Sequence, residues 1–252
     1  MNKGGKLKLL VSVADAAEAR TALSGGADII DAKDPSRGAL GRVSPGTLLQ
    51  IRATVPPDVP LSAALGEARN VDQVPGLFEG IDVPLSFVKL GLRGRDPEAA
   101  RGVVAAAAEC ASRLPGRPGL VVVAFADLQD ADALSMREVA GLAIRAPARG
   151  LLVDTAHKDS GSLFDIAALE ELRDLQALLA IERLSFAVAG SLTERHLPLA
   201  IRTGADIVGV RGAVCDGGRT ARVSAAAVVR LALALERETA VAAPATREPV
   251  SR

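Results

Sequence analysis

The stretch Gly26-Ala27-Asp28-Ile29-Ile30-Asp31 is echoed near the other end of the chain by Gly204-Ala205-Asp206-Ile207-Val208-Gly209. Each reads as a helix stop leading into a strand, with glycine ending the helix and a β-branched run following. Working outward, apolar runs of the same kind lie at 7–13, 27–33, 60–66, 85–91, 119–126, 150–156, 185–191 and 205–211. They are apolar on both faces, as parallel strands covered by helices are. Amphipathic patterns separate them. Ser24-Gly25-Gly26 closes the first helix and Ser44-Pro45 opens the second, while Asp96-Pro97 and Leu114-Pro115-Gly116 bracket a later one. About eight β–α units in succession is the count of a single α/β (β/α)8 TIM barrel. An open doubly wound sheet is the rival, but no G-x-G-x-x-G turn follows the first strand. The barrel is expected over residues 1–238, with 239–252, which lack periodicity, as a disordered tail.

Composition bounds the function. A chain of 252 residues can be one α/β barrel, and 49% apolar residues supply its core. Trp and Tyr are absent and there are only five Phe, so Ala, Val, Leu and Ile must fill that core. Lys plus Arg equals Asp plus Glu at 30 each, which gives no pull toward nucleic acid or an anionic membrane. The scarcity of aromatics also removes base-stacking platforms. Cys110, in an Ala-rich helical pattern, and Cys215, in a loop, cannot build a disulfide framework. With only His157 and His196 there is no metal-ligand spacing, so neither metal nor cofactor is expected. The opening apolar run is too short for a signal peptide and is broken by Asp15, and no segment reaches transmembrane length. A soluble, cytoplasmic protein with a small-molecule partner is expected. A homo-oligomer is compatible with these features, which do not set the oligomeric state.

Three lysines stand in or just after strand runs: Lys33 at the end of the second, Lys89 on the fourth, and Lys158 after the sixth. A barrel places its active site at the C-terminal ends of the strands, and inward layers come from alternate strands. Even strands carry all three lysines, so the ammonium groups can converge. Asp31 is two residues before Lys33 and shares its face of the strand. Asp154 is four before Lys158 and shares its face if the strand continues. Asp127, ending the fifth strand, is a further candidate acid. A lone lysine at a strand end is ordinarily solvated. Clustered lysines instead repel, which favours a neutral, nucleophilic amine on one while the aspartates hold the others charged. Schiff-base chemistry follows as the first hypothesis.

The seventh strand runs into Ala189-Gly190-Ser191 and the eighth into Arg211-Gly212-Ala213. Barrels frequently seat a phosphate at these two loops. Gly190, Ser191, Arg211, Gly212 and Ala213 are the candidate phosphate-binding residues, with Ser191 supplying a hydroxyl and Arg211 a charge. Asp34-Pro35-Ser36-Arg37-Gly38-Ala39-Leu40-Gly41 is long for a βα connection. It reads as a mobile flap, a second phosphate contact through Arg37, or an ordinary surface loop. His157 is expected at the rim and His196 at the surface.

Taken in order, Asp31-Ala32-Lys33-Asp34-Pro35 with Gly38-Ala39-Leu40-Gly41, Val88-Lys89-Leu90-Gly91-Leu92, Asp154-Thr155-Ala156-His157-Lys158-Asp159, Ala189-Gly190-Ser191-Leu192 and Asp206-Ile207-Val208-Gly209-Val210-Arg211-Gly212-Ala213 resemble the (5-formylfuran-3-yl)methyl phosphate synthase family. The resemblance spans the chain to about residue 238. It implies a lyase that condenses two molecules of glyceraldehyde 3-phosphate into a furan aldehyde phosphate, with loss of phosphate and water, in methanofuran biosynthesis. It further implies that Lys33 forms the Schiff base, Lys89 accepts a proton, and Lys158 is a third active-site lysine, with Asp31 and Asp154 as carboxylate partners. Ser160 departs from the family's usual glycine and Phe125 from its usual tyrosine. Another Schiff-base aldolase acting on sugar phosphates, or a non-catalytic phosphate-binding barrel, are the alternatives.

Overall fold

A computed structural model describes residues 6–128, 133–157 and 159–242. Its strands are β1 (Lys8–Val13), β2 (Ile29–Ala32), β3 (Leu61–Ala68), β4 (Phe87–Leu92), β5 (Gly119–Phe125), β6 (Gly150–Asp154), β7 (Ser185–Val188) and β8 (Ile207–Val210). All pair in parallel in sequence order, and β8 returns to β1 to close the barrel. The outer layer is α1 (Ala16–Ser24), α2 (Pro45–Thr54), α3 (Val74–Phe78), α4 (Pro97–Arg113), α5 (Met136–Arg145), α6 (Leu163–Ile166), α7 (Leu169–Ile181), α8 (Leu197–Thr203) and α9 (Ala225–Ala242). This is the TIM barrel, with one strand in each of the eight apolar runs. Helix α9 continues to Ala242, past the point after Thr239 where the sequence pattern fades, and residues 243–252 lie outside the described residues. Among the described residues no helix is long and apolar enough to cross a membrane.

The helix starts follow from local chemistry. Asp15 caps α1 by accepting the Glu18 N–H at 2.9 Å, and Ser44 caps α2 ahead of Pro45. Ser135 and Glu138 form a reciprocal capping box on α5. The echoed stretches share one structural task. Asp28 accepts the N–H of Leu9 on β1 at 2.7 Å, and Asp206 accepts the N–H of Phe186 on β7 at 2.8 Å. Each aspartate ties the start of its own strand to that of a neighbour, so the repeat is a device of barrel assembly.

Alternation along the strands divides the core. Leu9, Val11 and Val13 on β1, Ile30 and Ala32 on β2, and Val88, Leu90 and Leu92 on β4 join the large apolar layer of the molecule. The intervening residues face the barrel axis. There the chain places Ser12, Ser62, Ala187 and Gly209, all small, so the axis is left partly open. On the β3–β6 side it is filled by Ala64, Val123, Phe125 and Leu152, with Ala39 and Leu40 entering from the loop after β2.

Candidate active site

A cavity of about 420 Å³ occupies that open space, within the ~300–1,000 Å³ typical of small-molecule sites. It extends from Lys33, Asp154 and Gly190 at the C-terminal ends of the strands down to Phe87 and Ser185 at their starts.

Asp31, with no solvent exposure, is held by three residues that line the cavity, Ser12, Ser62 and Lys89. The barrel register sets Ser12, Asp31 and Ser62 side by side on β1, β2 and β3. The two hydroxyls therefore flank the carboxylate, Ser12 Oγ donating to Oδ2 at 2.8 Å and Ser62 Oγ to Oδ1 at 2.7 Å. Lys89 completes the arrangement, its Nζ 2.6 Å from Asp31 Oδ2. Lys89 is in register with Ala64 on β3, whose small side chain leaves room for the ammonium to cross toward β2. A buried carboxylate without partners would cost several kcal/mol; here three donors satisfy it.

Lys33 follows β2 directly, its backbone N–H donating to Val13 O at 2.9 Å, and its buried side chain lines the same cavity. Asp154, also buried, ends β6 and accepts the Thr155 N–H at 2.7 Å. The structure thus gathers Lys33, Lys89, Asp31 and Asp154. Lys158 lies outside the described residues. The expectation that it shares a face with Asp154 rested on a strand reaching residue 156, whereas β6 stops at Asp154.

Asp127 braces the segment leading to residue 158, its carboxylate accepting the N–H groups of Ala156 and His157 at 2.7 Å each. His157 is an exposed rim residue, its Nδ1 3.3 Å from the same carboxylate. His196 is not at the surface. Only 6% exposed, it sits against the Phe164 ring and accepts the Thr193 N–H on Nδ1 at 3.0 Å. Burial, followed by the neighbouring Arg195, pushes its pKa below the ordinary 6.5.

The loop after β2 is a plug. Ala39 and Leu40 are buried in the barrel mouth at 3% and 2% exposure, and Asp34 N donates to Gly41 O at 2.8 Å to close the loop. Arg37, proposed as a phosphate contact, is exposed and turns back to Arg42 O at 3.3 Å. Apolar burial at Ala39 and Leu40 fixes this segment, which its length leaves open between a flap, a phosphate contact and a surface loop. Phe125 packs beside Leu40, with the Arg93 guanidinium 5.9 Å from its ring, and Ser160 is exposed.

At the opposite side of the mouth Gly190, Ser191, Arg211, Gly212 and Ala213 all line the cavity. Gly190 has φ +107, and a β-carbon there would lie 2.9 Å from Thr155 Cγ2 and 3.1 Å from its backbone nitrogen. Only glycine fits.

Arg211 departs from expectation. Its guanidinium has five N–H donors, and all five are used within the protein. Nε donates to Arg219 O at 2.5 Å, and Nη1 to Ser12 O at 3.0 Å and Glu18 Oε2 at 2.8 Å. Nη2 donates to Glu18 Oε1 at 3.2 Å and Ala221 O at 3.1 Å. Arg211 is therefore a clamp joining the β8 loop, the end of β1 and α1, with all its side-chain donors engaged within the protein. Its partner Glu18, buried at 3%, was masked in the sequence because an acid in the first turn of a helix reads as dipole compensation. Gly218 and Arg219 also line the cavity and carried only a Gly-Gly turn signal.

This geometry has relatives. A family profile described as 4-HFC-P synthase matches residues 9–232. The chain belongs to this family. The (5-formylfuran-3-yl)methyl phosphate synthase of Methanocaldococcus jannaschii is 34% identical over 221 residues, covering 83% of this chain and 91% of that one. That of Methanopyrus kandleri is 37% identical over 217 residues, covering 84% and 90%. The family is one of enzymes, and this chain is an enzyme of it. The 3-hexulose-6-phosphate synthase from Salmonella typhimurium has a TM-score of 0.60 at 19% identity, covering 92% of this chain and 100% of that one. At that identity the likeness concerns the barrel fold alone.

Proposed function

We propose that this 4-HFC-P synthase family enzyme is a cytoplasmic lyase that condenses two molecules of glyceraldehyde 3-phosphate into (5-formylfuran-3-yl)methyl phosphate, with loss of phosphate and water, for methanofuran or a related one-carbon carrier. The observation that carries the chemistry is Lys89, paired with the buried Asp31, lining the same cavity as Lys33. A lysine amine attacks carbonyls, and a second lysine held by a carboxylate can relay protons. One triose phosphate first shifts a proton to reach its ketone form. The Lys33 amine adds to that carbonyl and water leaves, giving an iminium. Lys89, after passing a proton to Asp31, takes the C2 proton of the second triose phosphate, whose aldehyde oxygen is polarised by an ammonium that we assign to Lys158. The C–H electron pair forms an enediolate, which expels phosphate from C3 and leaves the enol of a three-carbon keto-aldehyde. The terminal carbon of that enol attacks the iminium carbon, the C=N pair returns to nitrogen with the enol proton, and the new C–C bond makes the branched six-carbon skeleton of the product. The free hydroxyl of the first triose closes onto the keto carbon, and loss of water and of the Lys33 amine gives the furan, whose aromaticity favours the last steps.

Incubation with glyceraldehyde 3-phosphate should release inorganic phosphate together with an ultraviolet-absorbing furan. Borohydride added during turnover should leave a reduced adduct on Lys33, located by peptide mass spectrometry. A sugar phosphate product without the chromophore would instead favour a simple aldolase. An unmodified Lys33 in active enzyme would remove the iminium.

A further inference from the structure

With Arg211 consumed by its internal contacts, the phosphate seat formed by Gly190, Ser191, Gly212 and Ala213 needs another cation. We infer that Arg219 is that cation, binding the phosphate of a phosphomonoester substrate from the hairpin that follows β8; the inference rests on the phosphorylated-substrate proposal above.

Three observations support it. First, Arg219 lines the cavity beside Gly212 of the seat, a β-carbon at Gly212 falling 3.8 Å from Arg219 Cβ. Second, its backbone is pinned. Cys215 and Val223 form an antiparallel bridge, Asp216 N donates to Arg222 O at 3.0 Å, and the buried Arg211 holds Arg219 O and Ala221 O. The left-handed pair Gly217 and Gly218, at φ +106 and +99, turns the chain immediately before Arg219. Third, its side chain is largely uncommitted. Among the described residues the guanidinium makes one hydrogen bond, Nη2 to Gly38 O at 3.0 Å, and no ion pair with a carboxylate. Arg211 and Arg219 thus divide two tasks: one spends all its donors on fixing the loop, while the other keeps its fork for a ligand. An arginine fork matches a phosphate's oxygens, and glycine-lined backbone N–H groups leave room for both. The contact to Gly38 also joins the β8 hairpin to the plug loop after β2.

Titration of the wild-type enzyme and the Arg219→Gln variant with inorganic phosphate by calorimetry tests the site directly. Loss of a charge-assisted fork should weaken binding about tenfold or more, with Arg219→Lys intermediate. KM for glyceraldehyde 3-phosphate should rise by a similar factor, with kcat changing much less. Borohydride trapping of unphosphorylated glyceraldehyde on Lys33 should be the same in both proteins, which also shows that the variant is folded. Equal phosphate affinity in wild type and Arg219→Gln, or no phosphate binding by the wild type, overturns the inference. Absence of both a furan product and a Lys33 adduct overturns the proposed reaction instead. Selective loss of phosphate binding in Arg219→Gln would still establish the anion site in that case.

Discussion

Lys89 Nζ reaches Asp31 Oδ2 at 2.6 Å from two strands away, and both groups are buried. The pairing crosses β3 at Ala64, so the ammonium and carboxylate belong to one unit that no single strand contains. Removing one partner leaves the other charge buried without compensation, which costs about 3–5 kcal/mol. Asp31→Asn and Lys89→Met should each lower stability by that order in urea unfolding, and the double variant should lose clearly less than the sum. Both single variants should also lower kcat by roughly 10²–10⁴-fold, the range for losing a positioned proton-transfer group. Additive destabilisation would show that the pair is not coupled.

Arg211 and Glu18 form the second buried pair, and its effect should fall on stability before affinity. Arg211→Lys keeps the charge but cannot reproduce five donations in fixed directions. The expected result is a loss of several kcal/mol in chemical unfolding, comparable to breaking a buried pair. Protease cleavage in the 212–222 segment should rise with it. A variant as stable as wild type that binds phosphate more weakly would return Arg211 to the role first expected of it.

The contrast between these arginines shows where sequence reasoning ends. The strands were legible because apolar runs bounded by glycine, proline and capping residues determine local structure, and Lys33, Lys89, Asp31 and Asp154 stood out as charges in apolar strands. Partner choice was not legible. That Asp31 takes Ser12, Ser62 and Lys89 depends on barrel register, and that Arg211 takes Glu18 depends on closure of β8 onto β1. The plug loop stayed open among three readings for a related reason. Its length does not say what it covers, and Leu40 finds an apolar surface on β3, β5 and β6 that only the closed barrel presents.

Gly190 joins backbone geometry to function. Its φ of +107 and its contact with Thr155 both oppose a side chain. Gly190→Ala should cost about 1–3 kcal/mol from the backbone conformation, with crowding against Thr155 added. Relief would displace the loop that bears Ser191, so KM for a phosphorylated substrate should rise while that for glyceraldehyde changes little. Thermal unfolding and the two KM values check this, and an unchanged melting temperature would contradict it.

His196 supplies a pH dependence away from the chemistry. Burial and the adjacent Arg195 lower its pKa below 6.5, opposed by Asp165, and the Thr193 N–H occupies the Nδ1 lone pair. The unfolded chain therefore binds this proton more readily than the folded one, and stability rises with pH through the window. Its contribution is fully present above about pH 6.5, falls as pH drops through that value, and levels once the folded ring is also protonated. The unfolding free energy of wild type relative to His196→Gln, measured in urea from pH 8 to pH 4.5, should therefore decline on the acid side. A difference that stays constant, or grows as pH falls, would show that the folded ring accepts the proton as readily as the unfolded one.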